Sequence, residues 1–200
     1  MGDQAGTATE DKAGLRAAVI AARRAFPESA RADVASLLTE AVLTLPELAT
    51  ARTVAVYISF GTEPPTAELL NVLQARNLRV LVPVLRDDLD LDWAIYENRD
   101  QMSPGRGGMW IPDGDLLGVD SLAEADLVLV PALAVGADGT RLGRGGGSYD
   151  RALARVPADR PVVALLYDGE LLPGVPAEAH DRRVTAVVTP SGVRQLGVAG

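Results

Sequence analysis

An apolar run at Thr53–Ser59, an amphipathic segment at Thr66–Arg76 and a second apolar run at Arg79–Leu85 follow one another with only short polar joints. The two apolar runs are continuous and rich in β-branched residues, as strands covered on both faces tend to be. Parallel neighbours cannot be joined by a tight turn and need a crossover, usually a helix. This β-loop-α-β unit constrains the fold more than any other feature. Leu91–Tyr96, Leu127–Val130, Pro161–Leu166 and Val184–Val188 read as further strands. Two helices come first. Asp11–Phe26 carries Leu15, Val19, Ala22 and Phe26 on one face and stops at Pro27. Glu28–Leu45 keeps Val34, Leu37, Leu38, Ala41, Val42 and Leu45 in a stripe of helical period. The expectation is one α/β domain over residues 11–200, a parallel or mixed sheet flanked by helices with an N-terminal helical pair, preceded by a flexible tail over residues 1–10.

Composition removes several kinds of function. A net charge of −8 and a pI near 4.7 argue against a nucleic-acid partner, since such binders carry a basic footprint. No apolar run approaches the roughly 18 residues of a membrane span. Residues 1–10 lack the basic and apolar regions of a signal peptide, so a cytoplasmic chain with no membrane partner is expected. Without cysteine there are no disulfides, thiolate zinc sites or cysteine nucleophiles. A single histidine, His180, argues against a histidine-based metal site or a Ser-His-Asp triad. Catalysis is left to Arg, Lys, Asp, Glu and backbone dipoles, which points to phosphoryl chemistry. The basic residues are 18 arginines and one lysine, Lys12. Lys12 and Arg16 stand at i and i+4, so both cations project from one helix face. By composition alone, chance survival on a solvated helix face is the slightly favoured reading of this lysine.

The stretch Gly139–Arg151 carries the chemistry. Gly143, Gly145, Gly146 and Gly147 crowd into five positions, with Arg141 and Arg144 beside them. Glycines let backbone N–H groups turn together toward an anion. Ser148 follows as a candidate N-cap of a short helical pattern, Ser148–Arg155, and helix N-termini suit phosphate. Asp150 then offers an oxygen to a phosphate-bound Mg²⁺. A flexible loop with solvated arginines is the bland alternative; the fixed offsets of arginines, serine and carboxylate favour a nucleotide. A Walker A loop is excluded because no lysine ends the run, and a dinucleotide fingerprint because Ser148 stands at its third glycine and no strand-like run adjoins it. Three polar segments at strand ends, Phe60–Pro65, Ala132–Ser148 and the one around His180-Asp181, are expected to converge on one cleft. Ser103–Gly118, rich in Gly and Pro, reads as a long loop of the functional kind.

In these residues the chain resembles the 5-formyltetrahydrofolate cyclo-ligases, also called 5,10-methenyltetrahydrofolate synthetases. Arg141–Arg151 is similar to the family signature R-L/I-G-x-G-x-G-Y-Y-D. Lys12-x-x-Leu15-Arg16, Ser59-x-x-x-Glu63-x-x-Thr66, Ile111-Pro112, Pro131-Ala132-Leu133-Ala134 and His180-Asp181 fall in the family's order, so the resemblance spans nearly the whole chain. It implies a Rossmann-like domain that uses MgATP to convert 5-formyltetrahydrofolate to 5,10-methenyltetrahydrofolate through a phosphorylated formyl oxygen, releasing ADP and phosphate. It implies that Lys12 and Arg16 hold ATP phosphates and that Arg141, Leu142, Gly143, Arg144, Gly145, Gly146, Gly147, Ser148 and Tyr149 wrap the triphosphate. Arg144 would stand near the transferred group, making it and Lys12 the catalytic cations. Asp150 and Asp181 would hold Mg²⁺. Glu63 would read the pterin, with Ile58, Met109, Trp110 and the Arg144–Ser148 loop around it. Two positions depart from the pattern. Ser148 replaces the first tyrosine, and Met109 replaces an aromatic, with Trp110 beside it expected to supply the stacking. A monomer acting on a reduced folate is expected. A paralogue acting on another formyl or amide substrate, or a non-catalytic folate- or nucleotide-binding regulator, would share the loop; Glu63 speaks against the first, and the full set Lys12, Arg144, Asp150 and Asp181 against the second.

Overall fold

The computed structural model describes residues 4–105, 109–176 and 182–197. Helix α1 (Gln4–Ala25) begins earlier than expected, so residues 4–10 extend it backwards. Nothing in that segment stops a helix, and Ala5 and Ala8 favour one. After Pro27 a 3-10 turn leads into α2 (Arg31–Leu43). The crossover unit follows as β1 (Thr53–Val56), α3 (Ala67–Ala75) and β2 (Arg79–Leu85), with β3 (Leu91–Ile95) returning antiparallel beside β2. The long Gly/Pro loop contains a hairpin of β4 (Met102–Pro104) and β5 (Trp110–Pro112). Then come β6 (Leu127–Pro131), β7 (Ala134–Gly136), β8 (Arg141–Leu142), α4 (Ser148–Leu153), β9 (Val162–Leu165), β10 (Leu171–Leu172), β11 (Ala186–Thr189) and β12 (Gly192–Gln195).

The main sheet has the order β12-β11-β9-β6-β1-β2-β3. Its pairs from β11 to β2 are parallel, and its two edge strands are antiparallel. The continuous apolar runs have their reason in this layering. Val54 and Val56 face one layer, with Val34 and Leu38 of α2 and Leu69 and Leu73 of α3. Ala55 faces the other, with Leu122 and with Ala152 and Leu153 of α4. Successive strand residues point to opposite faces, so a strand covered on both sides must be apolar at every position. Among the described residues no helix is long and apolar enough to cross a membrane.

A second sheet of order β10-β7-β8 supports α1, whose Leu15, Val19 and Ile20 pack against Leu133, Ala134 and Leu142. Two features bear on the site. The glycine run does adjoin a strand, because β8 ends at Leu142. The strand order also reverses between β1 and β6: the chain leaves β1 for β2 on one side and later returns to β6 on the other. In open α/β sheets the crevice beyond the carboxyl ends of such a strand pair is where ligands bind.

Candidate active site

The segment leaving β1 and the segment leaving β6 form this crevice. After Val56 the chain abandons the ladder because side chains take over its backbone groups. Thr66 Oγ1 donates to the Tyr57 carbonyl at 2.9 Å and accepts from the Ser59 N–H at 3.0 Å. Ser59 Oγ accepts the Thr66 N–H at 3.1 Å, and Tyr57 Oη donates to the Pro64 carbonyl at 2.8 Å. The Ser-x-x-x-Glu-x-x-Thr spacing therefore closes a loop, and Glu63 is the carboxylate it holds. Glu63 is 6% exposed. Its Oε2 accepts the Phe60 N–H at 3.2 Å and its Oε1 accepts Arg144 Nε at 3.1 Å. Burial pushes the Glu63 carboxyl above the ordinary glutamate value, and the Phe60 N–H and the Arg144 charge oppose this in part.

Beyond β6, Gly145 and Gly147 have φ of 98° and 69°, a backbone that side-chain-bearing residues adopt only with strain. Gly147, in left-handed geometry, occupies the N-cap of α4. Ser148 is therefore the first helical residue and makes no capping hydrogen bond. The expectation of a serine cap fails because the glycine turn ends one residue earlier than the hydroxyl it was read from.

Two cavities meet at this loop. One, of about 240 Å³, is mainly apolar and takes in Ile58, Glu63, Met109, Trp110, Arg144 and Ser148. The guanidinium of Arg99 lies 3.3 Å from the centre of the Trp110 ring, and that of Arg144 lies 4.6 Å from the Phe60 ring, so cations brace both aromatics. The other cavity, of about 320 Å³, is polar and takes in Lys12, Arg16, Gly145–Gly147, Asp150 and Arg151. Arg141, Gly143, Gly145–Gly147 and Asp150 border both.

Helix α1 brings Lys12 and Arg16 to the polar cavity from one face. Lys12 is 8% exposed, far from a solvated lysine, and Arg16 Nε donates to the Gly143 carbonyl at 2.9 Å. Arg144, Ser148 and Tyr149 stand on the apolar side of the loop. Leu142 directs its side chain into the small core under α1. Tyr149 Oη is buried without a hydrogen-bond partner among the described residues, and burial pushes its phenol pKa strongly upward. Asp150 Oδ1 accepts Arg141 Nη2 at 2.5 Å and keeps partial exposure. Asp181 lies outside the described residues. Among the described residues no three acidic or histidine side chains cluster as a metal cage. A lone carboxylate beside a cationic, glycine-lined cavity still fits Mg²⁺, which is commonly held by one or two carboxylates together with phosphates.

Sequence reasoning missed Arg23 and Glu170. Arg23 is 3% exposed, lines the apolar cavity and is paired with Glu170 through bonds of 2.6 and 2.7 Å. A signal was present: Arg23 follows Lys12 by about three helical turns, which returns it to the face of Lys12 and Arg16.

The model of the 5-formyltetrahydrofolate cyclo-ligase family matches residues 8–190. A 5-formyltetrahydrofolate cyclo-ligase from Mycolicibacterium smegmatis is 40% identical over 184 residues, covering 90% of this chain and 93% of its own. One from Escherichia coli is 32% identical over 174 residues, covering 86% of this chain and 96% of its own. The solved structure of Aquifex aeolicus 5,10-methenyltetrahydrofolate synthetase superposes with a TM-score of 0.79 at 25% identity, over 92% of both chains. A chain with this crevice at its strand reversal, matched over nearly its whole length, belongs to the 5-formyltetrahydrofolate cyclo-ligase family.

Proposed function

We propose that this enzyme converts 5-formyltetrahydrofolate and MgATP to 5,10-methenyltetrahydrofolate, ADP and phosphate. The observation that carries the reading is the shared wall: one glycine loop separates an apolar cavity holding a buried carboxylate from a polar cavity holding Lys12 and Arg16. The apolar side takes the pterin. Glu63 presents carboxylate oxygens to the amino and ring N–H donors of the pterin edge, a matched bidentate pair. Trp110, with Met109 beside it, covers the ring.

The polar side takes the triphosphate, with Lys12, Arg16 and the backbone of Gly145–Gly147 around it. Mg²⁺ held by Asp150 and by Asp181 would offset phosphate charge. In the reaction the formyl oxygen takes the γ-phosphoryl group and N10 attacks the formyl carbon. As the ring closes, the carbon–oxygen bond breaks, N10 gives up its proton and phosphate leaves. The protein's part is positioning and charge neutralisation. Arg144, on the apolar side of the loop and bonded to Glu63, would set a cation beside the formyl group that receives the phosphoryl. Mixing the purified protein with MgATP and 5-formyltetrahydrofolate and following methenyltetrahydrofolate absorbance tests this. Product that forms only with both ATP and Mg²⁺ is expected; ATP-independent product, or none, refutes it.

A further inference from the structure

Arg23 has a chemistry that the phosphate and carboxylate assignments leave unused. Its Nε donates to Glu170 Oε1 at 2.6 Å, and its Nη2 donates to Glu170 Oε2 at 2.7 Å and to the Ala132 carbonyl at 2.6 Å. Glu170 is fixed in turn by the Tyr167 N–H at 2.8 Å. These bonds hold the guanidinium plane, and the Tyr167 ring lies 5.4 Å from its carbon. The remaining nitrogen, Nη1, is buried with no partner among the described residues. Buried donors without partners are rare and costly in folded proteins, and one beside a cavity commonly marks a missing ligand or water. Arg23 lines the same apolar cavity as Glu63, and its charge acts on the Glu63 carboxyl and the Tyr57 phenol.

The charge balance says what kind of acceptor belongs there. Glu170 neutralises Arg23, so the pair offers a neutral carbonyl a donor without the excess positive charge that would draw a phosphate. The other cavity is lined by further cations, among them Arg16 and Arg151. A pterin edge presents two donor groups, the 2-amino group and N3–H, followed by one acceptor, the 4-oxo oxygen. Glu63 matches the donors and leaves the acceptor to be met by something else. We propose that Arg23 is a substrate-binding, specificity-determining residue whose Nη1 donates to the 4-oxo group of the bound reduced folate. This rests on the pterin reading of the Glu63 cavity.

The test compares 5-formyltetrahydrofolate with its 4-amino-4-deoxy counterpart, in which a donor replaces the 4-oxo acceptor and N3 loses its hydrogen; the N3 change is common to wild type and variants and cancels when their ratios are compared. Affinities are measured by calorimetry at mildly alkaline pH, where both pyrimidine rings are neutral. Two variants are used. Arg23→Met with Glu170→Gln removes the pair together, which avoids stranding a buried charge and keeps an acceptor for Tyr167. Arg23→Lys keeps the ion pair and removes the planar donor. In both, the ratio of 4-oxo to 4-amino affinity falls by at least about tenfold from wild type, while affinity for a non-hydrolysable ATP analogue stays within about threefold. An unchanged ratio in either folded variant overturns the proposal, as does an equal loss of all three ligands, which marks Arg23 as structural only. Wild-type protein that binds neither pterin overturns the pterin reading itself, a result separable from an unchanged ratio.

Discussion

Replacing Glu63 by glutamine perturbs the apolar end of the site with almost no change of shape. In the native protein Oε2 takes the Phe60 N–H and Oε1 takes Arg144. A glutamine that keeps its oxygen toward Phe60 turns its amino group toward Arg144 and toward the pterin donors. One charge-assisted acceptor becomes a donor facing donors. Losing a hydrogen bond to a charged group costs about 1.5–3 kcal/mol, and the added mismatch brings the total to roughly 2–4 kcal/mol. That is about 30- to 1,000-fold in folate affinity. The fold should tolerate the change, because a buried carboxylate is removed and Arg144 is well exposed on its other side. Calorimetric titration with 5-formyltetrahydrofolate and, separately, a non-hydrolysable ATP analogue reads the effect. Folate affinity within about threefold of wild type, or an equal loss for both ligands, refutes the reasoning.

Three further outcomes are expected. Because burial raises the Glu63 carboxyl in the folded protein, its ionisation costs stability as pH rises through the raised value, and that cost is absent below the unfolded glutamate value. Folate binding, which needs the ionised form, should accordingly fade on acidification above the ordinary glutamate range; in Glu63→Gln both dependences should flatten in melting and binding profiles taken against pH. Lys12→Ala should raise KM for ATP at least about tenfold while folate affinity holds, with Lys12→Arg only partly restoring it; wild-type ATP kinetics would return Lys12 to a packing role. Asp150→Asn should lower kcat at least about tenfold, or 1.4 kcal/mol, with partial recovery at high Mg²⁺. Since Asp150 is paired with Arg141, a lowered melting temperature with normal turnover per folded molecule would show a structural ion pair instead.

The parts of this fold legible in the sequence are those where one physical demand acts on every residue. The central strands β1 and β9 are covered on both sides, so Val54-Ala55-Val56 or Val162-Val163-Ala164-Leu165 has no polar position to confuse the pattern. Strands β7, β8 and β10 escape because two or three residues carry no periodicity, and Arg141 sits buried in one of them. The reciprocal Ser59–Thr66 bonds show in the sequence only as a spacing; that they hold the Glu63 loop shut depends on the three-dimensional path of the chain after β1. Ser148 has the side chain of a cap, but Gly147 supplies the left-handed turn one position earlier, so backbone shape and not side-chain type sets the start of α4. Arg23 was hidden for a different reason. Its spacing from Lys12 and Arg16 puts it on their helix face, but its partner Glu170 is far along the chain, and the spacing does not tell a buried, paired arginine from a solvated one.

The central claim is that one loop joins a nucleotide to a formyl-bearing pterin and that phosphate leaves with the formyl oxygen. Supplying the enzyme with MgATP and 5-formyltetrahydrofolate labelled with heavy oxygen in the formyl group measures this directly. Methenyltetrahydrofolate should appear together with ADP, and the label should be found in the released phosphate. Product formed with the label in water, or ATP hydrolysed to unlabelled phosphate as the ring closes, would contradict it.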